Sequence, residues 1–284
     1  MAIYKGNKKV VAVYKGSTPI NKIYKGGTLV FQKSGGGGST HLFEGTATGN
    51  FNMSINNQSI PITPDASGKW FYDTEEKITS LDNSFSKQSA VTSVDLSNLD
   101  LTGITTRSMF DNGSNITSIK FNNTKSMKLV DANSMFYNCS RLVSLDLSNW
   151  DTSKLTSASY MFSGCSSLVS VDLSNWNTSS LTDAGSMFHD CSSLTSLDLS
   201  SFNTSNLIQA NGLFSRCISL KTLDLSNFDM SKATNYADMF RNCNKLTHIK
   251  CKQSFKDWCI TNQDEIKLPT AMREGGSGTW EIVA

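Results

Sequence analysis

Met135-Phe136-Tyr137-Asn138-Cys139-Ser140-Arg141-Leu142-Val143-Ser144-Leu145-Asp146-Leu147-Ser148-Asn149-Trp150-Asp151-Thr152-Ser153 decides the reading of this chain, because most of it returns 26 residues later and again after that. Met109-Phe110, Met135-Phe136, Met161-Phe162, Met187-Phe188, Leu213-Phe214 and Met239-Phe240 mark the beat, and Cys139, Cys165, Cys191, Cys217 and Cys243 keep the same step. A fixed period with a Leu-x-x-Leu-x-Leu core indicates a leucine-rich-repeat type of solenoid, in which each coil buries its apolar face only against its neighbours. Leu145 and Leu147 alternate with Ser144, Asp146 and Ser148, so the leucines face a core and the polar set faces out from a short strand. Phe136, Cys139 and Leu142 fall at i, i+3 and i+6, which predicts one face of a short helical turn. The expected fold is therefore an α/β repeat solenoid with a parallel sheet, its strands starting near Ser93, Ser118, Ser144, Ser170, Ser196, Thr222 and His248.

Outward from the repeat, residues 91–254 form the expected solenoid, with β caps on either side. Phe43 to Asp73 alternates apolar and polar residues between turn signals, so 41–90 reads as an N-terminal β cap over the otherwise open end of the core. Phe255, Trp258, Ile260, Ile266 and Leu268 can close the other end, and Trp280-Glu281-Ile282-Val283 reads as a last strand, giving a C-terminal cap at 255–284. Residues 1–33 hold a second repeat, Tyr4-Lys5-Gly6, Tyr14-Lys15-Gly16 and Tyr24-Lys25-Gly26, flanked by β-branched residues; this is a small separate β meander. So small a sheet is marginal alone, so homo-oligomerisation or docking onto a larger structural protein is expected of it. Ser34 to Thr40 is a Gly-rich flexible linker.

Composition narrows the function. A net charge of +2 with 18% charged residues gives no basic stripe for nucleic acid, and no window is apolar and long enough to insert in a membrane. Met1 leads into alternating Ile3-Tyr4-Lys5-Gly6 with no apolar core of a signal peptide, so the expectation is that either a signal has been removed from the chain as given or the protein does not use that export route.

No constellation for catalysis, cofactor binding or metal binding emerges. His41, His189 and His248 belong to different segments, and no nucleophile elbow or phosphate-cradling Gly motif is present. One cysteine per coil lacks the paired Cys-x-x-Cys spacing of zinc sites, so the favoured reading is a seam of small buried hydrophobes; Cys251 and Cys259 could pair after oxidation. Trp150, Trp176, Phe202 and Phe228 are expected to stack as a core seam. The candidate binding face is the outward row Asp95, Asp146, Asp172, Asp198 and Asp224 with Ser144, Ser148, Ser170, Ser174, Ser196 and Ser200, interrupted by Lys120 and ended by Lys250. Carboxylates one strand apart repel unless cations or donors sit among them, so the row could collect Ca²⁺ or sugar hydroxyls, or be a solvated face kept polar for solubility.

Residues 135–153 resemble the repeat of BspA-like leucine-rich-repeat surface proteins, and the resemblance covers about 91–254. It implies surface display and binding to host or matrix components, without catalytic residues. The Tyr-Lys-Gly repeats resemble short β modules of structural proteins from phages and prophages of gut bacteria. Together these imply a non-enzymatic adhesion module on a virion of tail or fibre type, recognising a host or bacterial surface protein or glycan through the solenoid and joined to the virion through residues 1–33. A bacterial cell-surface adhesin of the same family, and a virion decoration protein without a specific ligand, are the alternatives.

Overall fold

The computed structural model describes residues 42–74, 76–99, 101, 103–121, 129–148 and 150–283, and the backbone of 14–15, 18–19, 22–25, 28–32 and 127–128. In the first segment β1 (Tyr14–Lys15) pairs antiparallel with β2 (Thr18–Pro19), and β3 (Lys22–Lys25) with β4 (Thr28–Gln32). Tyr4-Lys5-Gly6 and the linker 34–40 lie outside the described residues. Next come β5 (Phe43–Ala47), β6 (Phe51–Ile55), β7 (Gln58–Ile62) and β8 (Lys69–Tyr72). The coils carry β9 (Val91–Asp95), β10 (Ser118–Lys120), β11 (Met127–Lys128), β12 (Ser144–Asp146), β13 (Trp150–Asp151), β14 (Ser170–Asp172), β15 (Ser196–Asp198), β16 (Thr222–Leu225) and β17 (His248–Lys252). Helix α1 (Gln253–Thr261) and strand β18 (Thr279–Val283) follow.

The result is a β-solenoid of about six turns. Parallel pairing sets its register: Ser118 lies opposite Ser93, Ser144 opposite Ser170, and Ser196, Thr222, His248 and Thr279 stand in one line across β15 to β18. β10 lies beside β12, and β14 beside β15. A second column of parallel bridges joins Asp131, Ser157, Asp183, Gln209 and Asn235 on another side of each coil. The coil pattern reaches back to Ser80, which bridges Thr105, and so begins inside the stretch that the sequence assigns to the cap.

The α/β expectation needs correction, because the Met-Phe-x-x-Cys segment is a run of tight turns and not a helix. Its amides alternate. Ser134, Phe136 and Asn138 donate to Ser159, Met161 and Ser163 of the next coil at 2.9, 2.9 and 2.7 Å, while Met135, Tyr137 and Cys139 close onto carbonyls three residues back. Ser134 and Asn138 have φ of 55° and 54°, and the equivalent positions of later coils, Tyr160 and Gly164, Ser186 and Asp190, Gly212 and Arg216, are left-handed too. Left-handed residues four apart turn every other amide outward, which forbids an i→i−4 ladder. Each non-glycine residue of this kind costs about 1–2 kcal/mol, offset by a hydrogen bond to the neighbouring coil, while Gly164 and Gly212 adopt the conformation without that cost.

Stacked columns fill the interior. Phe85, Phe110, Phe136, Phe162, Phe188, Phe214 and Phe240 stack with centroids 5.4–6.1 Å apart and planes within 18° of parallel. Trp150, Trp176 and Phe202 form a second buried stack. Each thiol of the cysteine column donates to the Phe carbonyl of the coil before, from Cys139 to Phe110 at 3.3 Å through to Cys243 and Phe214 at 2.9 Å. Gly113 stands at the first cysteine position, where a Cβ would lie 2.7 Å from Ile116 Cδ1 and 2.9 Å from the Phe110 carbonyl oxygen. Thr152, Thr178 and Thr204, all buried, clip adjacent coils: each hydroxyl donates to one residue's carbonyl, on Asn177, Asn203 or Asp229, and accepts from that residue's amide.

At the N-terminal end β5 runs antiparallel to both β9 and β8, so one sheet has the order β10-β9-β5-β8. Phe51, Trp70 and Phe85 pack beneath it. Gly45 is required there, since a Cβ would lie 1.9 Å from the Ser93 carbonyl oxygen. At the other end α1 buries Phe255 and Cys259, and β18 pairs in parallel with β17.

Candidate functional site

The structure places the row of candidate residues on the outward side of the strands. Ser144, Asp146, Ser170, Asp172, Ser174, Ser196 and Asp198 are exposed, while Ser148 and Ser200 are half-buried. Asp146 stands opposite Asp172, and Asp198 opposite Asp224. The carboxylates, however, are engaged within their own coils. Oδ1 of Asp95, Asp146, Asp172, Asp198 and Asp224 accepts the amide two residues on, from Ser97, Ser148, Ser174, Ser200 and Ser226, at 2.9–3.1 Å. The hydroxyls of Ser97 and Ser148 add bonds of 2.6 Å to the same oxygen, and that of Ser226 does likewise. These are Asx turns, the local motif by which Asp bends the backbone after a strand.

The same device closes other corners of the coil, from Asp151 to Ser153, Asn177 to Ser179, Asn203 to Ser205 and Asp229 to Ser231. The Ser174 amide and hydroxyl hold the Asp172 carboxyl below its ordinary range, against burial and the neighbouring Asp146 charge. Burial pushes the Asp224 carboxyl up, but the Ser226 hydroxyl and the Lys250 ammonium outweigh it and hold the group low. At the two ends of the row Lys120 sits 3.4 Å from Asp95 and Lys250 sits 3.1 Å from Asp224. The negative row is thus met by a lysine at each of its two ends. Among the described residues no three of His, Cys, Asp and Glu converge in a way that could hold a metal ion, and no helix is long and apolar enough to cross a membrane.

Histidine chemistry does not gather here either. His248 Nε2 lies 3.2 Å from Glu281 Oε2, and burial lowers His189 in the turn column while Asp190 opposes that shift; His41 lies outside the described residues. All seven cysteines are free and buried. Burial drives their thiols up, Cys165 and Cys243 to about 12, which makes them poor nucleophiles.

One concavity that the sequence did not announce lies at the N-terminal end of the row. A groove of about 400 Å³ opens over the outward face of β8, β5, β9 and β10. Two ranks of side chains cross it: Phe71, Glu44, Asp95 and Lys120 in one, and Lys69, Thr46, Ser93 and Ser118 in the other. On its floor the Thr46 hydroxyl lies 2.8 Å from that of Ser93 and 2.6 Å from that of Thr92. Asp65, at its margin, closes a turn through Ser67 and Lys69, whose bonds hold its carboxyl low. The signal for this groove was weak in sequence, because Glu44, Lys69 and Phe71 belong to no repeat and meet only through antiparallel pairing across distant segments.

No curated protein and no solved structure matches the chain. A family model does, over residues 68–145 and again over 130–258, which together reach from 68 to 258 of the 284 residues. That match, the chain's 26-residue step and its solenoid packing are compatible with the BspA-like resemblance of residues 135–153. The chain belongs to the family described as Mycoplasma protein of unknown function, DUF285.

Proposed function

We propose that this chain is a non-enzymatic recognition module that binds a protein or glycan on a host or bacterial surface, and that residues 1–33 join it to a phage or prophage virion. The observation that carries the reading is the outward strand face. Its polar side chains recur once per coil, and the carboxylates are fixed by turn hydrogen bonds, so the face is pre-ordered and loses little entropy on contact. Weak contacts on such a face gain strength from copy number on a particle. The hairpins β1–β2 and β3–β4, with their Tyr-Lys repeats, support an assembly role for the first segment through docking or self-association. A second reading, a bacterial cell-surface adhesin, is favoured by the family match.

The test is binding of the fluorescently labelled full chain to intact bacterial cells, together with its location in the producing culture. Saturable binding, with the chain found in particles released by lysis, is the expected result. Saturable binding with the chain in the cell-wall fraction would move the assignment to the adhesin. Absence of binding to every strain would leave a structural decoration protein.

A further inference from the structure

The row of strands that carries the outward face has two ends, and they are finished differently. At the N-terminal end β8 is guarded. The Lys69 amide donates to Asp65 Oδ1 at 3.0 Å and the Lys69 carbonyl accepts the Asp65 amide at 2.8 Å, so the Asp65 turn occupies backbone groups that an incoming strand would need. At the C-terminal end β18 is last in the order β15-β16-β17-β18 and pairs on one side only.

Register defines what that edge offers. The Thr279 amide donates to the Thr247 carbonyl at 2.7 Å, so Thr279, Glu281 and Val283 turn their backbone groups toward β17. Trp280 and Ile282 therefore direct their N–H and C=O groups away from β17, where no described residue bonds them. Their side chains stand in line with the fully buried Ile249 and Cys251 of β17, on the core side, yet Trp280 is half-buried and Ile282 is 43% exposed. Trp280 Nε1 is held on the Met272 carbonyl at 3.2 Å, whereas Ile282 lies bare at the edge. The strand has no proline, no lysine and no register shift, and its one charge, Glu281, lies 3.2 Å from His248 Nε2 on the outward face. An edge without these guards is a template for another strand.

The two ends together select the occupant. Because β8 is blocked, a second copy stacking head to tail on β18 is disfavoured. The pairing that remains within this chain's own repertoire is β18 against β18 of a second copy, antiparallel about a two-fold axis, which closes on itself. Centred on Ile282, it lets the two Ile282 residues exchange both backbone bonds and cover each other's side chains. It also sets Glu281 beside the partner's Val283 instead of the partner's Glu281, which avoids opposed like charges.

We propose that the chain forms a two-fold dimer through the β18 edge. The axis stands normal to the sheet, so the outward faces of the two copies join into one longer face. The dimer is independent of what that face binds.

Sedimentation velocity of the full chain up to about 100 μM, enough to reveal weak edge pairing, tests it together with Ile282→Pro, Ile282→Lys and Asp172→Asn. Ile282→Pro removes an N–H that β17 does not use, and Ile282→Lys installs a guard. A monomer–dimer equilibrium is expected, weakened about tenfold or more by either Ile282 variant and unchanged by Asp172→Asn. A nitroxide on Thr279→Cys, the native thiols being buried, should report a pair distance of about 20–30 Å, since six strand steps separate the two labels. Should either Ile282 variant lose the folded near-ultraviolet circular dichroism, the other variant and the label distance decide. A chain that stays monomeric throughout overturns the proposal. So does a dimer that no folded Ile282 variant weakens or whose labels lie far beyond that distance, which would place self-association elsewhere, as in residues 1–33.

Discussion

The regular coils between Asp131 and Met230 and the N-terminal end between Leu42 and Phe121 repeat themselves to different degrees, and the difference separates what builds the molecule from what is free to act. In the regular coils a residue type recurs because it touches its own copies: Phe on Phe, Trp on Trp, a Thr hydroxyl on the next coil's backbone. The aspartates recur for another reason. Each bends its own coil after the strand, so their periodicity reflects the fold before it reflects any ligand. At the N-terminal end the side chains over the sheet do not recur, and Glu44, Lys69 and Phe71 belong to no repeat.

The largest effect should come from breaking a column in the regular region. Phe188 is fully buried between Phe162 and Phe214, with centroids 5.5 and 6.1 Å away. Its replacement by Ala removes two stacking contacts and leaves a cavity that identical coils on both sides cannot collapse around, at a cost of about 3–5 kcal/mol. Urea unfolding followed by circular dichroism should show a lower midpoint and a loss of unfolding free energy of that size. Phe71→Ala, on the half-buried outward face, should shift it far less. Equal losses at both positions would erase the contrast between core column and groove.

Alkaline pH probes the same columns without a substitution. Burial raises the cysteine thiols above their ordinary range, Cys165 and Cys243 to about 12, so the folded chain favours the neutral thiol. A group whose folded pKa is raised contributes stability fully below its unfolded pKa and loses it as pH climbs toward the folded value. Stability should therefore fall between about pH 9 and 12, by at most about 1.4 kcal/mol per pH unit for each thiol. At about pH 8, below that range, a disulfide-exchange reagent should label none of the seven buried thiols in the native chain and all of them in urea. Prompt labelling of Cys251 or Cys259 in the native state would place the C-terminal end outside this description.

How much of this was readable in advance follows from the same contrast. The coil length, the strand positions and the inward leucines could be read from the sequence, because contact between identical positions writes itself as period. The short helix was misread because i, i+3, i+6 spacing of Phe136, Cys139 and Leu142 fits a helix face and a string of turns equally well. The deciding features, left-handed Ser134 and Asn138, are backbone states with weak residue preferences. Helix α1 was missed since it occurs once and has no copy to compare. The groove was missed because strand pairing between segments some 50 residues apart, Thr46 with Ser93, leaves no local pattern. The Asp-x-Ser turns left a readable signal in their fixed spacing, which the interest in a charged row obscured.

The smallest effect is the most discriminating, and it concerns Asp172. Its carboxylate has two separable properties, a negative charge in a row and an acceptor oxygen that takes the Ser174 amide at 3.0 Å. Asn keeps the acceptor and removes the charge, so Asp172→Asn should change stability at neutral pH by less than about 0.5 kcal/mol, the scale of a benign surface change. Asp172→Ala removes the acceptor and should cost about 1 kcal/mol, as a lost local side-chain bond to the backbone does. Acid sharpens the difference. The Ser174 bonds hold the native Asp172 carboxyl low, so they contribute stability above the unfolded carboxylate range that is lost as pH falls through the lowered native value, and neither variant can show that loss at this site. Melting curves at pH 7 and pH 3 for the three proteins would check both parts. Were Asn as damaging as Ala at pH 7, charge and not the turn would be what position 172 requires, and the periodicity of the aspartates would need another cause than the bend after each strand.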